Sequence, residues 1–292
     1  ELFGHSLGKA SFSFKERYLG NNYIPFDRIN PVEFNREYNF NSEGNAYEEL
    51  REINLNYLPS DNLTVSGKYG MLAKGDELRT DRFFSNIKYS DKDISRVDFT
   101  IDYAKTGNLS LKTDWNRQNG TAFYSSGIFR PGVEYLFDEK KETISGDSLI
   151  STSYRHWEAA PFLELIKING LDLRTQISLR QEFIPESGSF SRQSDALLRT
   201  VKIGLRPFSE IASTLNLTLR NKYYTDQFKQ RGYTDNETFL LYSQTKFNFF
   251  KNGINGDLYY EAATEQSAKQ QKVFVKVVKG TGNYKYIGDV NG

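Results

Sequence analysis

The 292-residue chain contains no cysteine, and it has only two histidines and two tryptophans. Without cysteine it can form neither disulfide bonds nor thiolate-based catalytic and metal sites. No run approaches the roughly eighteen apolar residues that a transmembrane helix requires. Acidic and basic residues nearly balance at a formal net charge of +1, so no overall field attracts nucleic acid or an acidic substrate. No basic, apolar leader begins at Glu1, so a signal peptide is expected to have been removed or never included.

Residues that could support catalysis are equally scarce. His5 and His156 lie far apart in the sequence, and neither belongs to a recognisable motif. The nucleophile motif G-x-S-x-G, the zinc motif H-E-x-x-H and a phosphate-binding P-loop do not occur. Asp98 and Asp102 share one side of a predicted strand, but such pairs far more often line a hydrated wall than act as acid and base. We therefore predict that the chain is not an enzyme and binds no cofactor.

What the sequence does contain is an alternation of apolar and polar residues with a period of two, which is typical of β-strands. The clearest example is LDLRTQISLRQEF, residues 171–183, in which only Gln181 interrupts the apolar series. Comparable segments recur along most of the chain, and no convincing amphipathic helix occurs. The pattern predicts roughly fourteen to sixteen strands in an all-β, antiparallel up-and-down meander.

The function depends on whether the apolar side of these strands contacts lipid or a protein core. A strand that crosses a bilayer at a tilt needs about nine to eleven residues, whereas strands of soluble proteins mostly have about five or six. The apolar sides of the longest strands carry essentially no charge, and Lys or Arg at the bilayer midplane costs about 2–4 kcal/mol. Five segments meet the greater length: 62–72, 95–104, 171–183, 213–224 and 238–249.

Aromatic residues close several apolar sides, as in the interfacial girdles of membrane barrels; they are Tyr69, Tyr103, Trp115, Phe183, Tyr223 and Phe249. These features favour a transmembrane β-barrel, or a large section of one, in a bacterial outer membrane. The predicted lipid-facing residues are Val97, Phe99, Ile101, Leu173, Ile177, Leu179 and Leu217. The residues predicted to face a watery lumen are Asp98, Asp102, Arg174, Arg180 and Glu182. The competing interpretation is a secreted or cell-surface soluble β-sandwich, or extended β-sheet, that binds a partner.

The pattern divides the chain into three regions. Residues 1–45 contain prolines and little alternation, which predicts an irregular insert or plug-like segment. Residues 46–271 form the predicted barrel meander, in which short connections alternate with long polar ones such as 184–195 and 225–237. Residues 272–292 are strand-like but interrupted by glycine, and we expect them to continue into further chain.

The C-terminal segment VFVKVVKGTGNYKYIGDVNG, with its G-x-G-x-Y-x-Y-x-G-D-x-N-G spacing, resembles a segment of very large envelope β-proteins from Bacteroidota and Chlorobiota bacteria. The stretch PFDRINPVEFNREYNF is similar to them in style. These families include giant outer-membrane barrels such as the type IX secretion translocon, to which nothing specific assigns this chain. The resemblance implies a structural, channel or secretion and assembly role in the outer membrane. Expected partners are the lipid bilayer and envelope lipoproteins or other barrels, and not nucleic acid.

In the same families the G-D-x-N-G turn runs on into further acidic and amide residues that resemble a calcium loop. Asp289 and Asn291 would supply the first two oxygen ligands here. Ca²⁺ takes six to eight oxygens, so two candidates are too few to define a site. An ordinary Asx/Gly turn is the favoured interpretation, and no metal site is predicted.

Overall fold

The structure, a computed structural model, describes residues 8–21, 23, 38, 46–75, 78–92, 94–107, 111–144, 148–250 and 253–265. They form one sheet of 14 strands, all paired antiparallel, in which each strand after β1 pairs with its predecessor except that β9 pairs with β7. The strands are β1 (Lys9–Leu19), β2 (Glu48–Ser60), β3 (Leu63–Lys74), β4 (Leu78–Asp91), β5 (Ser95–Gly107), β6 (Leu111–Tyr124), β7 (Phe129–Ile144), β8 (Ser148–Leu149), β9 (Tyr154–Ile168), β10 (Leu171–Glu186), β11 (Ser189–Phe208), β12 (Ile211–Tyr224), β13 (Asn236–Phe249) and β14 (Ile254–Glu265).

Strand length distinguishes this sheet from those of most soluble proteins. Apart from β8, a two-residue strand attached to β7, the strands have between 11 and 20 residues. Strands of ordinary globular domains most often have about five or six. The all-β, antiparallel up-and-down meander predicted from the alternation is confirmed.

The two ends of the sheet carry different connections. At one end, the short-turn end, the connections span 61–62, 92–94, 125–128, 169–170, 209–210 and 250–253. At the other, the long-loop end, residues 145–153 connect β7 to β9 and include β8, and residues 225–235 connect β12 to β13 and include the short helix α1 (Asp226–Lys229). Within the described ranges no helix has the length and apolar character needed to cross a membrane. β1 and β14 both run from the short-turn end towards the long-loop end, because an even number of antiparallel steps separates them.

The expected long loop at 184–195 is instead a tight hairpin between β10 and β11. Ser187 and Gly188 form its turn, with φ angles of 50° and 81°. Two successive residues in the left-handed region produce the backbone twist that favours two-residue hairpins. The polar residues on either side belong to the strands, which extend past the last apolar residue. The sequence signal failed here because both faces of these strand ends carry polar residues, so the alternation is lost.

Antiparallel pairing gives the sheet two chemically different faces, because directly opposed residues project to the same side. The outer face is defined by the partners Ile53, Tyr69, Phe83 and Tyr103 on β2 to β5. The inner face is defined by the partners Glu52, Gly70, Arg82 and Ala104 on the same strands.

The apolar face of this sheet is exposed and its charged face is buried, which is the reverse of a water-soluble sheet. On the outer face large apolar residues are exposed, for example Ile177 at 51% and Leu163 at 40%. On the inner face charged residues are buried, for example Glu52 and Arg82, each at 6% exposure. A small apolar cluster also lies on this inner face, formed by Tyr38, Leu50 and Leu72 with Leu78 packed against it.

The predicted division of the chain needs one correction at its N-terminal side. Lys9–Leu19, assigned to an irregular 1–45 segment, forms β1 and pairs with β2 along its whole length. Its alternation was obscured because its polar side is rich in serine and lysine while Phe12 and Phe14 lie on the other side. Strand β14 ends at Glu265, and the predicted segment 272–292, with Asp289 and Asn291, lies outside the described residues.

Candidate functional site

The inner face carries ion pairs that link neighbouring strands, and the most buried of them centres on Asp102 of β5. Arg82 donates from Nε to Asp102 Oδ1 at 2.9 Å and from a terminal nitrogen to Oδ2 at 3.1 Å. Arg117, on the other side, donates to Oδ2 at 2.7 Å. The three side chains are 6%, 15% and 18% exposed, in the order Arg82, Asp102, Arg117. Two-pronged contacts between arginine and carboxylate are among the stronger charge-assisted hydrogen bonds.

A second ion cluster joins β7, β9 and β10 around Arg174. Its guanidinium donates to Glu164 at 2.9 Å and to Glu134 at 2.6 Å, and it stacks on the Phe162 ring at 4.0 Å from the ring centre. Gln176, the next inner-face residue of β10, donates to Glu134 at 2.7 Å. One arginine therefore bridges two neighbouring strands, and every charge in the cluster has an opposite partner.

A third cluster lies nearer the long-loop end and contains Arg180 and Glu182. Glu182 pairs with Arg180 at 3.0 Å and accepts from Lys222 of β12 at 2.6 Å and from Ser194 at 3.1 Å. Arg180 also lies 3.8 Å from Glu158 of β9. This cluster spans four neighbouring strands of the inner face.

Asp98, the last of the five residues predicted to face a lumen, lies near the short-turn end. It accepts hydrogen bonds from Asn86 at 2.9 Å and Arg96 at 3.2 Å, and Lys88 lies 3.8 Å away. All five predicted residues therefore lie on the inner face, in four separate clusters. Buried charges that are paired or hydrogen-bonded avoid the large cost of isolated ones. Such a face is suited to contact water rather than an apolar core.

A tyrosine from the segment between β1 and β2 packs into this polar face. Tyr38 is fully buried, and its hydroxyl donates to Glu52 at 2.6 Å. Its backbone oxygen accepts from Thr106 of β5 at 3.2 Å. A Cβ at Gly70 would lie 2.2 Å from the Tyr38 hydroxyl, so only glycine leaves room for the ring there. Sequence reasoning missed this contact, because Tyr38 lies in a segment without clear alternation, where nothing indicates what a tyrosine packs against.

The residues predicted to face lipid all lie on the outer face. Val97, Ile177 and Leu179 are exposed, at 41%, 51% and 50%. Phe99 stacks on Tyr135 with ring centres 6.5 Å apart. Its ring also occupies the space that a Cβ at the facing Gly120 would need. The remaining members, which are partly buried beside their neighbours, are Ile101, Leu173 and Leu217.

Trp115 is a correction to the predicted aromatic girdle. It lies on the inner face opposite Ala104, and its indole nitrogen donates to Asp138 at 2.7 Å. The Arg117 guanidinium lies over its ring at 4.1 Å. The prediction failed because β6 has little alternation: its outer face carries Asn116 and Gln118, so counting apolar residues gave the wrong phase.

The outer face carries cations in addition to apolar residues: Arg199 lies near the middle of β11, and Arg51, Arg79, Lys105, Lys141 and Arg155 lie nearer the long-loop end. Arg199 of β11 is exposed on this face, opposite Ile177 on one side and Leu219 on the other. Long arginine side chains can extend from an apolar surface towards water at its edge. Asp195 lies on the same face four residues before Arg199, nearer the long-loop end of β11.

His156 packs against a tyrosine of its own strand. The His156 ring stacks on Tyr154 with centres 6.1 Å apart, on the inner face near the long-loop end. No group of three or more His, Cys, Asp or Glu residues is placed to hold a metal ion in the part of the chain that the structure describes.

No protein-family model matches the chain, and no curated protein sequence does. Among solved structures it is similar to the siderophore receptor PirA from Pseudomonas aeruginosa, with 12% identity and a TM-score of 0.49. That match covers 68% of this chain and 37% of the receptor, so the chain spans well under half of that protein.

Two further structural neighbours are matched over most of their length. The outer membrane channel DcaP of Acinetobacter baumannii shares 9% identity at a TM-score of 0.45, over 89% of this chain and 93% of that one. The outer membrane protein OmpT of Vibrio cholerae shares 10% at 0.40, over 86% and 85%. At such low identities and TM-scores the similarity assigns neither substrate nor activity to this chain.

Proposed function

We propose that this chain forms the wall of a bacterial outer-membrane β-barrel and that its inner face lines an aqueous passage. The role is that of a non-catalytic channel, and binding of envelope lipoproteins or other barrels is compatible with it. One observation carries the proposal: apolar side chains are exposed on the outer face while ion clusters are enclosed by the inner face. Both faces are stabilised at once when lipid contacts the outer face and water contacts the inner face.

The competing soluble β-sandwich lacks its second layer. A sandwich buries its apolar face against another sheet at a spacing of about 10 Å. The described ranges form a single sheet, and its outer face has no packing partner among them. Exposed apolar surface on this scale is rare on soluble monomers and marks contact with a membrane or another protein.

The directions of the two edge strands, β1 and β14, determine how the sheet can close into a barrel. β1 and β14 run the same way, so pairing them directly would be parallel, whereas outer-membrane barrels are antiparallel throughout. A closed antiparallel barrel therefore needs an odd number of further strands between β14 and β1. On this proposal the described sheet is a large section of the barrel wall.

The proposal is tested by reconstituting the full chain in lipid vesicles and planar bilayers. We expect it to resist carbonate extraction and to produce discrete ion-conducting steps. Replacing Arg96, an exposed cation of the inner face, by Gln shifts the ion selectivity towards cations. The matched change Arg199→Gln on the outer face leaves selectivity unchanged. Release of the protein by carbonate without detergent, or no conductance at all, contradicts the proposal.

A further inference from the structure

A cavity of about 750 Å³ opens on the inner face of β3 to β6, near the short-turn end. Every residue that lines it belongs to the inner face by strand register. The Asp102 cluster and the Tyr38 contact lie towards the other end of the same strands, and the cavity adjoins the Asp102 cluster at Phe84. Its lining combines hydroxyl and amide groups, one charged cluster and two phenyl rings.

Three polar side chains in this cavity, Ser66, Asn119 and Thr121, form no hydrogen bond with any side chain or backbone group of the described residues. Elsewhere on the inner face most long polar side chains are engaged, as Asn86 is with Asp98 and with Thr100 at 2.8 Å. Unpaired donors and acceptors grouped on one wall are free to bind a polar ligand in place of water.

Two phenyl rings stand at opposite corners of the cavity, and an arginine guanidinium lies over one face of each: Arg82 at 5.6 Å from the Phe84 ring centre and Arg130 at 4.7 Å from the Phe123 ring centre. On β5, Asp102 lies opposite Phe84 and Arg96 lies opposite Phe123. The two rings are therefore six residues apart along the strand direction. At about 3.4 Å per residue this distance is about 20 Å. The cavity is therefore an open groove long enough for several units of an extended chain.

The charges in the groove are largely compensated. Asp98 lies between Arg96 and Lys88, at 3.2 and 3.8 Å. One excess positive charge remains among the lining residues, which is too little to select a polyanion. The chemistry thus favours a ligand that is uncharged or weakly acidic, rich in hydroxyl groups and able to lie on an aromatic ring.

We propose that this groove binds a linear oligosaccharide. The face of each ring that its arginine leaves uncovered stacks on the C–H face of a sugar unit at either end, and Ser66, Asn119 and Thr121 bind hydroxyl groups between them. Sugars combine apolar ring faces with many hydroxyls, which matches the alternation of phenyl and polar groups along the groove. The inference rests on the proposed function, because it places the ligand inside the passage.

The test is isothermal titration of the full chain, folded in detergent, with glucose oligomers from maltose to maltohexaose and with oligogalacturonate. We expect affinity to rise with chain length until the oligomer spans both rings. Phe84→Ala and Phe123→Ala each weaken binding of the longest oligomers about tenfold. Asn119→Ala removes no internal hydrogen bond, so it weakens binding about fivefold without changing stability. Leu240→Ala, on the inner face of β13 outside the groove, is the matched control.

The outcomes separate this inference from the proposed function. If the protein conducts ions but binds no oligosaccharide, the groove assignment is wrong and the channel stands. If oligosaccharides bind with the expected dependence on both rings but no conductance occurs, the site stands and the channel fails. Tighter binding of an extended peptide of serine and asparagine, or equal loss of affinity in Leu240→Ala, overturns the oligosaccharide site.

Discussion

The inner and outer faces of the sheet are made from the same strands, yet they follow opposite rules. Along β10, Ile177 and Leu179 are half exposed on the outer face, while Ser178 between them is almost fully buried on the inner one. Across the inner face, Asp102 and Arg174 connect strands through paired charges. In a soluble sheet the apolar side would be the buried one. The difference shows that side-chain burial, which alternation alone cannot supply, distinguishes a membrane wall from a protein core.

The largest effect is expected from placing a charge on the outer face. Ile177→Arg moves a guanidinium into the apolar band and costs about 2–4 kcal/mol of stability in lipid. The matched change is Thr200→Arg on the inner face of β11, which we expect to be tolerated. Ser178, although on the inner face, is a poorer control because it is 4% exposed and donates to Glu158. Urea unfolding in lipid vesicles measures the free energy of unfolding of both variants. An equal decrease in the two would show that the faces are wrongly assigned.

A smaller loss is expected from breaking a buried ion cluster of the inner face. Asp102→Ala leaves Arg82 and Arg117 facing each other and costs about 2 kcal/mol, less than for a fully buried pair because water reaches the face. Asp98→Ala, on the same side of β5, costs less than about 1 kcal/mol because its cationic partners are exposed. The same unfolding assay compares the two. An equal effect at both positions would contradict the difference in burial.

Alternation along the sequence was sufficient to predict the strands, their antiparallel order and the side on which most of their residues lie. It failed where the outside of a strand is polar, as at Asn116 and Gln118, and this put Trp115 on the wrong face. It also failed at the strand ends near Ser187, where both faces carry polar residues. In each case the residue types do not show which face a side chain lies on, and only the register of neighbouring strands does.

The candidate site was predictable only residue by residue. Asp98, Asp102 and Arg174 could be placed on one side of their strands, but their partners on other strands could not. Partner choice depends on register, which is set by turns such as Ser187–Gly188 and by the bulge after Glu182. Tyr38 carried no periodic signal, because its position is fixed by a gap above Gly70 on another strand.

A third prediction concerns the packing of Tyr38 against the inner face. Gly70→Ala forces a Cβ into the Tyr38 hydroxyl and costs about 1–2 kcal/mol. Gly67→Ala, on the outer face of the same strand, meets its nearest atom only at 4.0 Å and is expected to be nearly neutral. Unfolding in urea measures both. In a Tyr38→Ala background the cost at Gly70 should disappear, and its persistence would mean that the clash is not with Tyr38.

The smallest effect is expected beyond both faces, in the loop between β12 and β13. Lys229, which donates to Asp235 at 2.8 Å, and the Tyr224 backbone N–H together hold the pKa of Asp235 below its usual 3.8. A lowered pKa means that the carboxylate stabilises the loop above pH 3.8 and that this contribution is lost as pH falls through the lowered value. The Tyr224 amide chemical shift should change across that acidic range. Asp235→Asn should abolish the change, and an unaltered titration would contradict the contact.

The central claim is tested most directly by cysteine scanning through residues 171–183, since the chain has no cysteine of its own. Each single-cysteine variant is reconstituted in lipid, labelled with a fluorophore and exposed to quenchers attached to lipid tails or dissolved in water. We predict alternation with a period of two: lipid quenching at Leu173, Ile177 and Leu179, and aqueous access at Arg174, Gln176 and Arg180. Aqueous access at every position, or alternation in the opposite phase, would contradict a lipid-facing outer surface.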